Sequence, residues 1–206
     1  MKLYHCPGTR STRIVWLLEE LRLPYELETF PLGDKAMREP DYLKVHPMGR
    51  VPALEDGDVT LFESGAIVEY LLIRHGIEAN GGAAMRPGHN DPAFPDYLQW
   101  LHYAEGMLMP PVNTIVVETK FLPEEKRNPA NVARARKLLG KMLGAVEHRL
   151  DGRDYLTGTF SGADIMTGHS VMAALRFGGE MPEYPRTLAY ANRLQARPAF
   201  QKAASL

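Results

Sequence analysis

The chain has 206 residues, 45% apolar and 24% charged with a formal net charge of −1, which describes a globular protein with no basic face for nucleic acid or an anionic membrane. Its single cysteine excludes an internal disulfide framework and a cysteine-rich metal site. The start lacks a signal-type apolar core and no run reaches the roughly 18 apolar residues that cross a bilayer, so a cytoplasmic protein is expected, with no membrane partner.

In chain order, Met1 to His5 reads as a short strand. After the Pro7-Gly8 turn, Ser11 or Thr12 is placed to cap a helix whose apolar residues Ile14, Val15, Leu17, Leu18 and Leu21 follow the 3.6-residue period. Pro24 stops that helix, and Tyr25 to Phe30 alternates like a second strand. Residues 34–45 suggest a loop with a short helix. Asp56-Gly57 then joins two strands, 53–55 and 59–62, as a hairpin. Ser64 to His75 is helical, with Ile67, Val68, Leu71 and Leu72 on one face.

Residues 77–92 are dense in Gly, Pro and Asn and read as a linker between a domain over 1–76 and an all-helical domain over 93–206. In the second domain Tyr97 to Met109 is a helix that Pro110-Pro111 ends or kinks, and Ala130 to Leu150 is a longer one. Two more helices are expected at about 162–177 and 184–205. Ser161 and Asp164, three apart, have the spacing of a capping box, with Phe160 and Ile165 as its hydrophobic staple. Removing the Ser161 cap is expected to cost on the order of 1 kcal/mol.

Two motifs carry the chemistry. In Met48-Gly49-Arg50-Val51-Pro52 the proline belongs at a sheet edge or special turn. If the Val51-Pro52 bond is cis, the Val51 N–H and C=O face outward and can pair with an extended peptide. In Glu63-Ser64-Gly65-Ala66-Ile67 the helix entrance favours a carboxylate, and Glu63 adds an acceptor for an ammonium. Together they suit a small zwitterionic peptide such as glutathione.

These two motifs resemble the glutathione-binding signature of the cytosolic glutathione transferases. The opening Leu3-Tyr4-His5-Cys6-Pro7-Gly8-Thr9-Arg10-Ser11-Thr12-Arg13 resembles the first strand and active-site loop of the bacterial members. The resemblance implies an α/β thioredoxin-like N-terminal domain followed by an all-α domain that shapes the electrophile pocket, a homodimer, and glutathione as co-substrate. The βαβ, hairpin and helix order agrees with that fold.

Only a thiolate is a useful nucleophile, and a thiol of pKa about 8.5 is roughly 3% ionised at pH 7. A hydroxyl donor with nearby helix-terminal amides can supply the roughly 2.7 kcal/mol that a shift of about two units takes. Thr9 and Ser11 lie between the first strand and first helix, and the resemblance gives either of them that role, Ser11 ahead of Thr9, with plain capping of the helix as the alternative. Arg50, Val51, Pro52, Glu63 and Ser64 are expected to bind glutathione, with Arg50 near its glycyl carboxylate. The expected reaction is attack of the thiolate on a small hydrophobic electrophile.

Cys6 supports an alternative. Its place resembles the cysteine of the omega-like transferases, which implies thiol transfer or dehydroascorbate reduction through a mixed disulfide. As a small buried hydrophobe it would be inert. A non-catalytic binding protein on the same framework is the third reading. Trp100, Tyr103, Met107 and Met109 are candidates for the electrophile side, or simply core, and no metal-ligand spacing occurs.

Overall fold

A computed structural model describes residues 1–79, 85–180 and 182–206, with the backbone alone for 77–79. The chain forms two compact units, one of Met1–Arg86 with Gln195–Leu206, the other of Pro87–Leu194.

The first unit is built on a four-stranded sheet in the order β2-β1-β3-β4. Strand β1 (Lys2–His5) lies parallel to β2 (Glu26–Thr29), pairing Leu3 with Leu27, and helix α1 (Thr12–Leu21) makes the crossover. A short helix α2 (Pro40–Val45) precedes β3 (Ala53–Asp56), which runs antiparallel to β1 and to β4 (Val59–Phe62). Gly57, with φ of 60°, supplies the left-handed turn residue of the hairpin. Helix α3 (Ser64–Ala79) follows, burying Ile67, Val68, Leu71 and Leu72. It therefore runs into the stretch expected as a linker, of which 80–84 lie outside the described residues.

Every residue of α1 from Arg13 to Leu18 is fully buried, more than one apolar stripe requires. The reason is a second covering helix from the far end of the chain, α9 (Pro198–Ser205). Trp16 and Phe200 meet edge to face at 5.0 Å, and Arg197 donates to both oxygens of Glu20 at 2.5 and 2.8 Å. The single helix expected over 184–205 is thus two, α8 (Pro185–Gln195) and α9. Pro198 cannot continue the ladder and forces the residue before it out of helix; Arg197 has ψ of 130°.

In the second unit, α4 (Phe94–Tyr103) does not stop at the proline pair. A wide π turn over Ala104–Leu108 shifts the hydrogen-bond register, so Pro110 and Pro111 fall in the first turn of α5 (Met109–Val116), where no intrahelical N–H is needed. Helix α6 (Pro129–Arg149) is capped by the Asn128 carboxamide, which accepts from Ala130 N at 3.0 Å. A π turn at Asp164–Gly168 leads into α7 (His169–Phe177). No helix among the described residues is long and apolar enough to cross a membrane.

Half of the expected capping box forms: the Asp164 side chain reaches back to the Ser161 backbone N–H, while the Ser161 hydroxyl turns to the aspartate instead of capping. Asp164 Oδ2 accepts from Ser161 N at 2.9 Å and from Ser161 Oγ at 3.1 Å. Its Oδ1 accepts from Leu156 N at 3.0 Å and from Tyr190 Oη at 2.8 Å. The aspartate is therefore the hub and the serine hydroxyl spends its proton on it.

Candidate functional site

The turn after β1 is made by Pro7 and by Gly8 at φ of 70°, and it brings two hydroxyls together. Ser11 occupies the N-cap position of α1, yet its side chain makes no bond to that helix. It turns inward, accepting from Cys6 N at 3.0 Å and lying 2.8 Å from His5 Nδ1 and 2.9 Å from Thr9 Oγ1. Thr9 Oγ1 donates to the Cys6 carbonyl at 2.7 Å. Ser11 is wholly buried, whereas Thr9 is half-buried and has an accessible side.

Cys6 is 1% exposed, and burial pushes its thiol up, away from the thiolate needed for disulfide exchange. Both features work against Cys6 as the nucleophile of the thiol-transfer alternative.

The loop from α2 to β3 forms a second edge. The Val51-Pro52 bond is cis, and Val51 lies just outside both ladders, whose registers start at Ala53. Val51 packs on a cluster of Tyr4, Phe30, Met37, Tyr42 and Ala53, and Tyr42 Oη donates to Arg50 O at 2.6 Å. Arg50 itself is exposed. Gly49 has φ of 59°, and a Cβ there would stand 2.4 Å from Met37 O. Gly49→Ala should therefore lower stability by about 2–3 kcal/mol, adding left-handed strain to a backbone clash. Urea unfolding checks this, and an unchanged midpoint would mean that the loop can move freely.

The third edge is the entrance to α3. Glu63 is exposed and held at φ of 74°, rare for a residue with a Cβ, and its carbonyl accepts from Ile67 N at 3.0 Å. Ser64 is 3% exposed, and its Oγ accepts from the guanidinium of Arg13 at 3.0 Å. That arginine, fully buried on α1, joins the helix following the hydroxyl loop to the acidic entrance. A buried cation and the positive end of α3 make the entrance attractive to a carboxylate, while Glu63 offers an anion beside it.

Thus Thr9 and Ser11 are in contact, and Ser64 is tied through Arg13 to the helix that Ser11 begins. Arg50, Val51 and Pro52 share the neighbouring loop. Arg13 and His5 were not among the expected site residues. Their signal was polarity inside apolar runs, a buried-polar pattern that only the partner explains. In the second unit Trp100 and Met109 are core, Tyr103 Oη donates to Met142 O at 3.1 Å, and Met107 is 47% exposed. Among the described residues no cluster of three or more His, Cys, Asp or Glu side chains is suited to a metal ion.

Residues 1–72 match the family described as glutathione S-transferase, N-terminal domain. Glutathione S-transferase 4 of Zea mays is 35% identical, the alignment covering 94% of this chain and 86% of that protein. A sphingomonad glutathione S-transferase complexed with glutathione is 28% identical, with a TM-score of 0.82 over 100% of this chain and 98% of the other. A glutathione transferase from Burkholderia graminis, with two glutathione molecules bound per subunit, is 27% identical, with a TM-score of 0.87 over 99% of this chain and 87% of the other.

Proposed function

Because the chain belongs to the glutathione S-transferase family and is a glutathione transferase, we propose that its first unit holds glutathione as co-substrate along the Val51-Pro52 edge and the α3 entrance. The γ-glutamyl carboxylate lies at Ser64, its ammonium at Glu63, and the cysteinyl backbone pairs with Val51. Arg50 meets the glycyl carboxylate. The single observation that carries this reading is the anchored entrance, Ser64 held by buried Arg13 beside a strained, exposed Glu63.

In this reading the sulfur arrives at the hydroxyl loop, and Thr9 is the donor to the thiolate because Ser11 is wholly buried. Ser11 holds Thr9 in place from behind. The thiolate then attacks a small hydrophobic electrophile, as the family resemblance implies. The Cys6–Arg13 loop supports a bacterial-type member, on a scaffold shared with plant relatives such as the maize protein. A homodimer in the cytoplasm belongs to the same reading; exposed Met48 and Phe62, both beside the His46 ring or backbone, offer apolar surface for a second copy.

The test is retention on immobilised glutathione followed by conjugation of 1-chloro-2,4-dinitrobenzene. Thr9→Val should bind the column normally but lose about 10–100-fold in kcat/KM, the range for one charge-assisted hydrogen bond at about 1.5–3 kcal/mol. Unchanged turnover would remove Thr9 from the mechanism. Glutathione-dependent reduction of a disulfide substrate by the wild-type protein, abolished in Cys6→Ala and kept in Thr9→Val, would restore the thiol-transfer alternative.

A further inference from the structure

His5 ends β1 directly behind the hydroxyl loop and is completely buried. Its Nδ1 lies 2.8 Å from Ser11 Oγ, while Nε2 has no hydrogen-bond partner among the described residues. Burial lowers its pKa, so the ring is neutral and carries its proton on one nitrogen only. The two tautomers differ in what they leave unpaired. With the proton on Nε2, an N–H donor is stranded in the interior. With the proton on Nδ1, only a lone pair is stranded, the more tolerable of the two.

The hydroxyl inventory follows from that choice. Ser11 Oγ has two lone pairs and one proton. Cys6 N–H fills one lone pair. If His5 Nδ1–H fills the other, the Ser11 proton has only Thr9 Oγ1 at 2.9 Å or Cys6 O at 3.1 Å to go to. Ser11 then cannot accept from Thr9, whose own proton is left for Cys6 O or for an anion arriving on its accessible side. In the opposite tautomer the Ser11 proton goes to His5, and the vacated lone pair pulls the Thr9 proton inward.

We propose that His5 is the positioning residue of the thiol site: its Nδ1–H donates to Ser11 Oγ, which turns the Ser11 proton away from His5 toward Thr9 Oγ1 and leaves the Thr9 proton for the glutathione sulfur. The proposal rests on the assignment of Thr9 as sulfur donor, but its first test does not. Long-range proton–nitrogen correlation of the histidine rings in the unliganded protein near pH 7 should show His5 protonated on Nδ1 and bare on Nε2. Protonation on Nε2 overturns the proposal.

The second test separates aiming from packing. The His5→Asn amide nitrogen can stand where Nδ1 stands, whereas His5→Leu fills space without a donor. The apparent pKa governing kcat/KM for the electrophile at saturating glutathione, which reports the bound thiol, should stay within about 0.3 units of wild type in His5→Asn. In His5→Leu it should rise by about 1 unit, with the KM for glutathione within about threefold. An unmoved pKa in His5→Leu, or a shift in His5→Asn as large as the leucine's, overturns it. If His5→Leu does not fold, the tautomer and His5→Asn decide. If Nδ1 is protonated but Thr9→Val leaves the pKa unmoved, the Thr9 assignment fails, and the outward aim at sulfur fails with it.

Discussion

Asp164→Ala is expected to destabilise the protein by about 3–5 kcal/mol, because four donors lose their acceptor in a fully buried place. Two of them are the backbone N–H groups of Leu156 and Ser161, and the others are the hydroxyls of Ser161 and Tyr190. The aspartate is 0% exposed, so water cannot replace it. Burial, the largest influence, pushes its carboxyl up from 3.8 to about 6 against the pull of those hydrogen bonds. The folded state therefore holds the proton more tightly than the unfolded chain. The carboxyl's contribution is fullest below about pH 4 and declines as pH rises through 6, so the alanine variant should lose more at pH 5 than at pH 8. Urea unfolding at both values checks the sign. By the same logic Ser161→Ala is milder, since its backbone N–H keeps the Asp164 bond.

Glu63→Ala is expected to raise the KM for glutathione about 30-fold, or about 2 kcal/mol, while leaving stability within about 0.5 kcal/mol. The carboxylate is exposed, so the fold does not need it, whereas in the proposed binding mode the ligand's ammonium does. Glu63→Gly sharpens the comparison. At φ of 74° a residue with a Cβ pays roughly 1–2 kcal/mol, which glycine partly relieves. The glycine variant should thus be as poor a binder as the alanine variant yet as stable as wild type, or more so. Thermal unfolding with steady-state kinetics separates the two effects. A glutathione KM that stays at the wild-type value would remove Glu63 from the site.

Local pattern was a good guide wherever a local cause decides the structure. The period of Ile14 to Leu21, the Asp56-Gly57 turn and the Ser64 helix entrance each depend on neighbours a few residues away. The thioredoxin-like sheet followed from their order. What stayed hidden depends on distant partners. Ser11 looks like a helix cap until His5 and Cys6 N claim its hydroxyl. Arg13 sits in an apolar run and makes sense only once Ser64, 51 positions on, is beside it. Asp164 has cap spacing, but its second oxygen serves Leu156 and Tyr190. The proline pair at 110–111 points to an end or kink in the helix; the interruption lies just upstream, in a wide turn that supplies the register in which those prolines cost nothing.

In the proposed mechanism bound glutathione is ionised by the hydroxyl loop of the first unit. Ultraviolet difference absorbance of the bound thiolate, titrated from pH 5 to 9, measures this directly. The thiolate of wild-type-bound glutathione should appear about two pH units below the free thiol's value near 8.5, and that advantage should shrink by about one unit or more in Thr9→Val. A bound thiol that titrates like free glutathione in the wild-type protein would contradict the account.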